Sequence, residues 1–174
     1  EDASDLLGAL RRGWPLSEGE PFRQPAWSAA KNATLARVRA EGYPAAAWTK
    51  TEARFEAASH RVAIRVELDS GALFRLGEIE VEGMQRYDAS TVRRLATFGR
   101  GTPYNEKLLL DYQERLLKLG LFESASVELD PDPATAGAAP VRVRVRELTL
   151  QQATVGVGVS ANTGPRVTLE HRHR

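Results

Sequence analysis

The chain has 174 residues with 24 basic against 23 acidic side chains, a net charge of +1, and 42% apolar residues. That length allows one ordinary domain or two small ones, and the apolar share suffices for packed cores. The basic residues alternate with apolar or acidic ones instead of clustering, which argues against a nucleic-acid partner. There is no Cys, which excludes disulfides and thiol chemistry, and no apolar run approaches the roughly 18 residues of a membrane-spanning helix.

In chain order, residues 3–12 read as a short helix with Leu6, Leu7 and Leu10 on one side, stopped by Gly13 and Pro15. A turn containing Gly19-Glu-Pro-Phe22 leads to a second helix, about 25–41, where Trp27, Thr34, Leu35 and Val38 share a face and Gly42 ends it. Two strands follow, 47–55 and 61–69, the latter with Val62, Ile64, Val66 and Leu68 on one side. A further strand, 74–82, alternates Ile79 and Val81 with Glu78, Glu80 and Glu82. Asp88 then opens a helix over 89–98 with Val92 and Leu95 inward.

The clearest element comes next, a helix over 106–119. Asn105 caps its start, Gly120 stops it, and Leu108, Leu109, Tyr112, Leu116 and Leu119 fall on one face. It feeds a hairpin of strands 124–129 and 141–146, the second of which alternates valine and arginine without a fault. If 141–146 is central, Arg142, Arg144 and Arg146 lie between Glu78, Glu80 and Glu82 on one flank and Glu128 on the other. Each such cross-strand pair contributes roughly 0.2–1 kcal/mol, and any other strand order separates most of them.

The chain reads as one unit written twice at a spacing of about 80 residues. Gly19-Glu-Pro-Phe22 lies over Gly101-Thr-Pro-Tyr104, Gly42 over Gly120, and Val62-x-Ile-x-Val66 over Val141-x-Val-x-Val145. In that registration the first unit's opening strand falls before residue 1, where no signal peptide begins, so the chain is expected to be a piece of a longer protein. The joint is placed at Gly71, after Asp69-Ser70, and its shortness predicts a defined angle between the units. Residues 151–174 add an amphipathic pair. Val155, Val157 and Val159 alternate with Gly156, Gly158 and Ser160, and after a turn Val167 and Leu169 alternate with Thr168 and Glu170, the dyad of a lipid-facing barrel strand. One hairpin cannot satisfy its backbone in a bilayer, so this piece is expected to be soluble with its tail disordered or borrowed by a neighbour.

The order β-α-α-β-β, the Gly-x-Pro-Tyr turn, the helix ending Leu119-Gly-Leu-Phe122 and the closing Val-x-Val-x-Val strand resemble a POTRA domain, and the chain resembles two in tandem. Residues 154–160 and 162–169 are similar to the start of the barrel in the outer-membrane assembly superfamily that includes BamA and TamA. The stretch from Val157-Gly-Val-Ser160 through Gly164-Pro-Arg166 is nearest to TamA. The resemblance implies an α+β fold of tandem units, each a three-stranded mixed sheet with two helices on one face. Residues 1–70 would be a POTRA domain without its first strand, 71–148 the POTRA domain next to the barrel, and 149–174 the first barrel hairpin. It also implies a periplasmic location at a Gram-negative outer membrane. The implied partners are unfolded or extended outer-membrane clients, an inner-membrane or periplasmic assembly protein, and the membrane itself through the barrel. A two-partner secretion transporter, or a spacer orienting the barrel, are the alternatives.

No catalytic constellation, nucleotide loop or cofactor motif is present; Gly156-Val-Gly158 lacks the strand and helix that a phosphate loop needs. His60, His171 and His173 read as solvated surface, since Glu170 is the only nearby carboxylate and no Cys completes a metal set. The candidate sites are therefore edges. Ser124, Ala125, Ser126, Val127, Glu128 and Leu129, with Thr49, Thr51 and Ala53 in the first unit, are expected to form open sheet edges that accept a partner's strand. Leu110 and Leu117, seven apart and off the helix's main stripe, mark a contact with a partner or the other unit; the alternative is partial burial against the preceding helix. Proline at Ser126 or Glu128 is the expected edge test, provided its N–H points away from the central strand.

Overall fold

The computed structural model describes residues 3–148, 151–160 and 164–173, the last two segments by backbone alone. The first unit comprises α1 (Ala3–Arg12), α2 (Gln24–Ala40), β1 (Ala47–Glu56) and β2 (Arg61–Asp69). Its two strands pair antiparallel with a bulge between Trp48 and Lys50. The helices meet the sheet over a small core of Val38, Tyr43 and Ala46, with Leu6, Leu10, Leu35 and Leu68 packed against it. Among the described residues this sheet has two strands, not three, and its far end leaves Phe55 and Ile64 exposed.

The second unit comprises β3 (Leu76–Glu82), α3 (Ala89–Arg93), α4 (Glu106–Lys118), β4 (Phe122–Leu129), a 3₁₀ turn (Pro133–Ala138) and β5 (Ala139–Glu147). The sheet order is β3-β5-β4, with β3 parallel and β4 antiparallel to β5. This is the order that the alternating charges predict. Arg144 reaches Glu82 at 3.4 Å and Glu128 at 3.3 Å, Arg142 reaches Glu80 at 3.8 Å and Asp130 at 2.8 Å, and Arg146 reaches Glu123 at 2.9 Å. Glu78 is the exception, because it turns to Arg100 instead. On the other face Leu76, Val92, Leu109, Tyr112, Leu116, Phe122, Val127, Val141, Val143 and Val145 form one buried cluster.

Local structure follows the residue types. Asn105 accepts the Lys107 N–H at 2.9 Å and Gly120 takes φ +69°, so α4 has the predicted cap and stop. Three expectations are corrected. The helix over 89–98 ends at Arg93, because i→i+3 bonds from Leu95 to Val92 and from Ala96 to Arg93 tighten the chain. That tightening turns Phe98 edge-on to Tyr112, at 5.4 Å between ring centres. Leu119 is 38% exposed and not core, because as the C-cap of α4 it lies where the helix leaves the sheet. The strand expected over 74–82 starts at Leu76, since Phe74 works differently: its N–H donates to the Gly42 carbonyl and its own carbonyl accepts from Tyr104, both at 2.9 Å. One buried residue thus ties the two units together, beside the predicted joint at Gly71, whose φ is +65°.

Residues 151–160 (β6) and 164–173 (β7) pair with each other as an antiparallel hairpin. The turn between them and residues 149–150 lie outside the described residues. No helix among the described residues is long and apolar enough to cross a membrane.

Candidate binding edges

The sheet of the second unit has two outer strands, and they are finished differently. On β3 the flank away from β5 is covered from Leu76 to Ile79. The Leu76 N–H donates to the Thr102 carbonyl and the Leu76 carbonyl accepts from Gly101, both at 2.8 Å, so the Gly-Thr-Pro-Tyr turn acts as a short edge cover. Further along, Arg93 Nε donates to the Ile79 carbonyl at 3.2 Å. Natural sheets guard their edges in this way against unwanted pairing.

On β4 the free flank has one cover among the described residues. Ser124, Ala125, Ser126, Val127, Glu128 and Leu129 all lie on this strand and pair only with β5. Val127 turns its side chain into the core, and its N–H donates to Gln113 Oε1 of α4 at 3.1 Å. The backbone groups of Val127 therefore point away from β5, and by the alternation of a strand those of Ala125 and Leu129 do too. The same alternation aims the N–H groups of Ser126 and Glu128 at β5. Proline at either would break the ladder, so the edge test moves to Ala125, whose N–H faces outward.

Leu110 and Leu117 are 54% and 40% exposed, so a large part of each side chain is open on the helix surface. At about 100° per residue Gln113 lies within roughly 60° of both on the helix surface. Because Gln113 reaches the outer flank of β4, the two leucines belong to that flank as well. The opposite flank of α4 faces the segment after α3, where Arg115 donates to Thr97 Oγ1 at 3.0 Å. An open backbone edge and an apolar helix row thus lie side by side.

In the first unit β1 also has a free flank among the described residues. Thr51 and Ala53 sit in regular register opposite Val66 and Ile64, but Thr49 is at the bulge and donates its hydroxyl to the Glu67 carbonyl at 3.1 Å. Thr49 therefore seals a bulge instead of offering a regular edge. Between helices and sheet this unit leaves an apolar cleft of about 610 Å³ lined by Leu10, Trp14, Val38, Ile64, Val66 and Leu68 among others.

Sequence reasoning missed one site, at the end of β5. Glu147, only 5% exposed at its side chain, accepts N–H bonds from Gln85 (2.9 Å), Arg86 (3.0 Å) and Tyr87 (3.3 Å), and Arg86 Nε at 3.1 Å. Arg86 also donates to the Leu148 carbonyl. The Gln85 N–H first, then the Arg86 backbone and guanidinium and the Tyr87 N–H, pull the Glu147 carboxyl down to about 2. A lowered folded-state value stabilises above the ordinary value of 4.5 and is lost as pH falls towards 2. Glu147→Gln is expected to lower the melting temperature at pH 7, with the gap to the parent closing between pH 4.5 and 2; a gap independent of pH would refute the clamp. The only signal in the sequence was that Glu147 stands where the alternation of β5 would place another valine, while the converging N–H groups of residues 85–87 follow from loop geometry. Among the described residues no cluster of His, Asp or Glu could hold a metal ion.

Residues 74–148 match the family model described as POTRA, surface antigen variable number repeat. Among solved structures, POTRA3-5 of BamA from Haemophilus influenzae is similar at 26% identity with a TM-score of 0.59, over 83% of this chain and 56% of that one. BamA from Haemophilus ducreyi lacking POTRA domains 1-3 is similar at 21% identity with a TM-score of 0.67, over 94% of this chain and 31% of that one. The chain therefore spans about half of the first and a third of the second. No curated protein sequence matches it. These matches support a POTRA domain in the second unit and point to no enzyme family.

Proposed function

We propose that this chain is a periplasmic polypeptide-binding region of an outer-membrane protein assembly factor, and that the outer edge of β4 takes up an extended strand from a client or assembly partner. The observation that carries this is the contrast between the two edges among the described residues: β3 is covered from Leu76 to Ile79 by a backbone turn and Arg93, whereas β4 is met by one glutamine side chain beside exposed Leu110 and Leu117. Strand addition draws its affinity from main-chain hydrogen bonds and its selectivity from side-chain contacts on alternate residues.

In this reading residues 1–70 and 71–148 are two consecutive POTRA units, 149–174 begin the barrel, and the wider protein belongs with BamA and TamA, nearest to TamA. The first-unit edge at Thr51 and Ala53 is a second, weaker acceptor. A spacer role is the competing reading, and the bridging of the units through Phe74 favours it, since a fixed joint transmits orientation.

One pair of variants separates the two. Ala125→Pro removes an outward N–H and leaves the β5 ladder in place. It is expected to abolish binding of an extended apolar peptide in a folded protein, and Leu110→Asp with Leu117→Asp to weaken binding at least tenfold with little change in melting temperature. Parent-like peptide binding by a folded Ala125→Pro protein would leave only the spacer.

A further inference from the structure

Gln113 stands on α4 between the buried stripe of Leu109, Tyr112 and Leu116 and the exposed Leu110 and Leu117. Its side-chain carbonyl holds the Val127 N–H at 3.1 Å. That acceptor is an amide oxygen, chemically the same as the backbone carbonyl that an added strand would bring to the same N–H. We infer that Gln113 is a displaceable stand-in for the bound strand: it satisfies Val127 while the edge is vacant, and it marks where a client's backbone carbonyl must arrive. The inference rests on the strand-addition reading and gives it a register.

Two properties make the exchange feasible. Swapping one amide carbonyl for another at Val127 conserves the hydrogen bond, and the released glutamine amide is uncharged and half-buried, so it hydrates as it leaves. The cover on β3 differs in kind, because Arg93 brings a charged donor to a carbonyl and the neighbouring turn is held by two backbone bonds. The register also defines the ligand class. Leu110 and Leu117 lie three and four residues to either side of Gln113, about 10 Å apart along the helix, so a strand that displaces Gln113 presents its residues between them. An extended polypeptide with apolar side chains at alternate positions fits; a helix or a charged strand does not.

The test uses the full chain and a fluorescein-labelled, lysine-capped peptide of alternating valine and threonine, followed by anisotropy. Gln113→Ala removes the competitor and is expected to tighten binding about 2- to 10-fold, the worth of one neutral hydrogen bond. Gln113→Glu, which keeps the shape and strengthens the acceptor, is expected to weaken binding by a similar factor. Amide exchange in the peptide complex supplies a readout that a merely structural residue would not move: with peptide bound, the Val127 N–H should be protected to the same degree in Gln113→Ala as in the parent, because the client's carbonyl has replaced the glutamine. If Gln113→Ala binds as the parent does, or more weakly, while Ala125→Pro has lost binding, the edge stands and the stand-in role is overturned. If Ala125→Pro binds like the parent, the edge reading itself falls.

Discussion

Leu116→Ala should destabilise the second unit by roughly 2–5 kcal/mol, the range for truncating a buried leucine whose surroundings cannot collapse. Leu116 is fully buried on α4, in the cluster where Tyr112, Phe122, Val127, Val141, Val143 and Val145 also meet. Collapse is resisted on both sides. Below lies the sheet, whose valines are fixed by the β5 ladders; above, Tyr112 is held by its hydroxyl, which donates to the Val92 carbonyl at 2.8 Å. Burial also raises the Tyr112 phenol to about 12, so that bond persists through the neutral range. Urea unfolding should show a lower midpoint at unchanged slope. Leu119→Ala is the control, because that side chain is 38% exposed and should cost well under half as much. Equal losses for the two would mean that the helix is rotated from the face described.

What the sequence could show depended on whether the signal was local. The α4 stripe, the Asn105 cap and the Gly120 stop are each set by neighbours along the chain, and the helix appears within a residue of its expected end. The strand order was legible for a different reason: three arginines on one strand and glutamates on two others admit a single favourable arrangement. The losses share a cause as well. The early end of α3 brings Phe98 against Tyr112, fourteen residues away in the chain, and no propensity at residues 94–98 reports that contact. Gln113 and Glu147 carry bonds to backbone groups 14 and about 60 residues distant, so their roles exist only once the sheet is assembled. The candidate edge residues lie on the outer strands β4 and β1, but which of them face outward needed the register. Alternation gives two answers, and only the Val127 contact with Gln113 chooses between them.

The largest single-residue effect outside the apolar core is expected at Gly83. It ends β3 with φ +89°, a conformation that costs an L-residue roughly 1–2 kcal/mol. A Cβ there would also lie 1.9 Å from the Val145 carbonyl oxygen of β5. That neighbour is backbone, held in the sheet, so no rotamer change relieves the contact and either β3 or β5 must shift. The shift falls on the loop that delivers the Gln85, Arg86 and Tyr87 N–H groups to Glu147, so the carboxylate clamp should fail with it. Gly83→Ala is therefore expected to destabilise by more than about 2 kcal/mol. Gly101→Ala isolates the backbone penalty, because Gly101 has φ +81° but nothing within 4 Å of its added Cβ, and it should cost only about 1 kcal/mol. Coupling supplies the sharper check: with Gly83→Ala in place, Glu147→Gln should add little further loss, since the two act through one loop. Full additivity in that double-mutant cycle, or equal losses for the two glycine variants, would disprove the close approach of Gly83 to β5 as the cause.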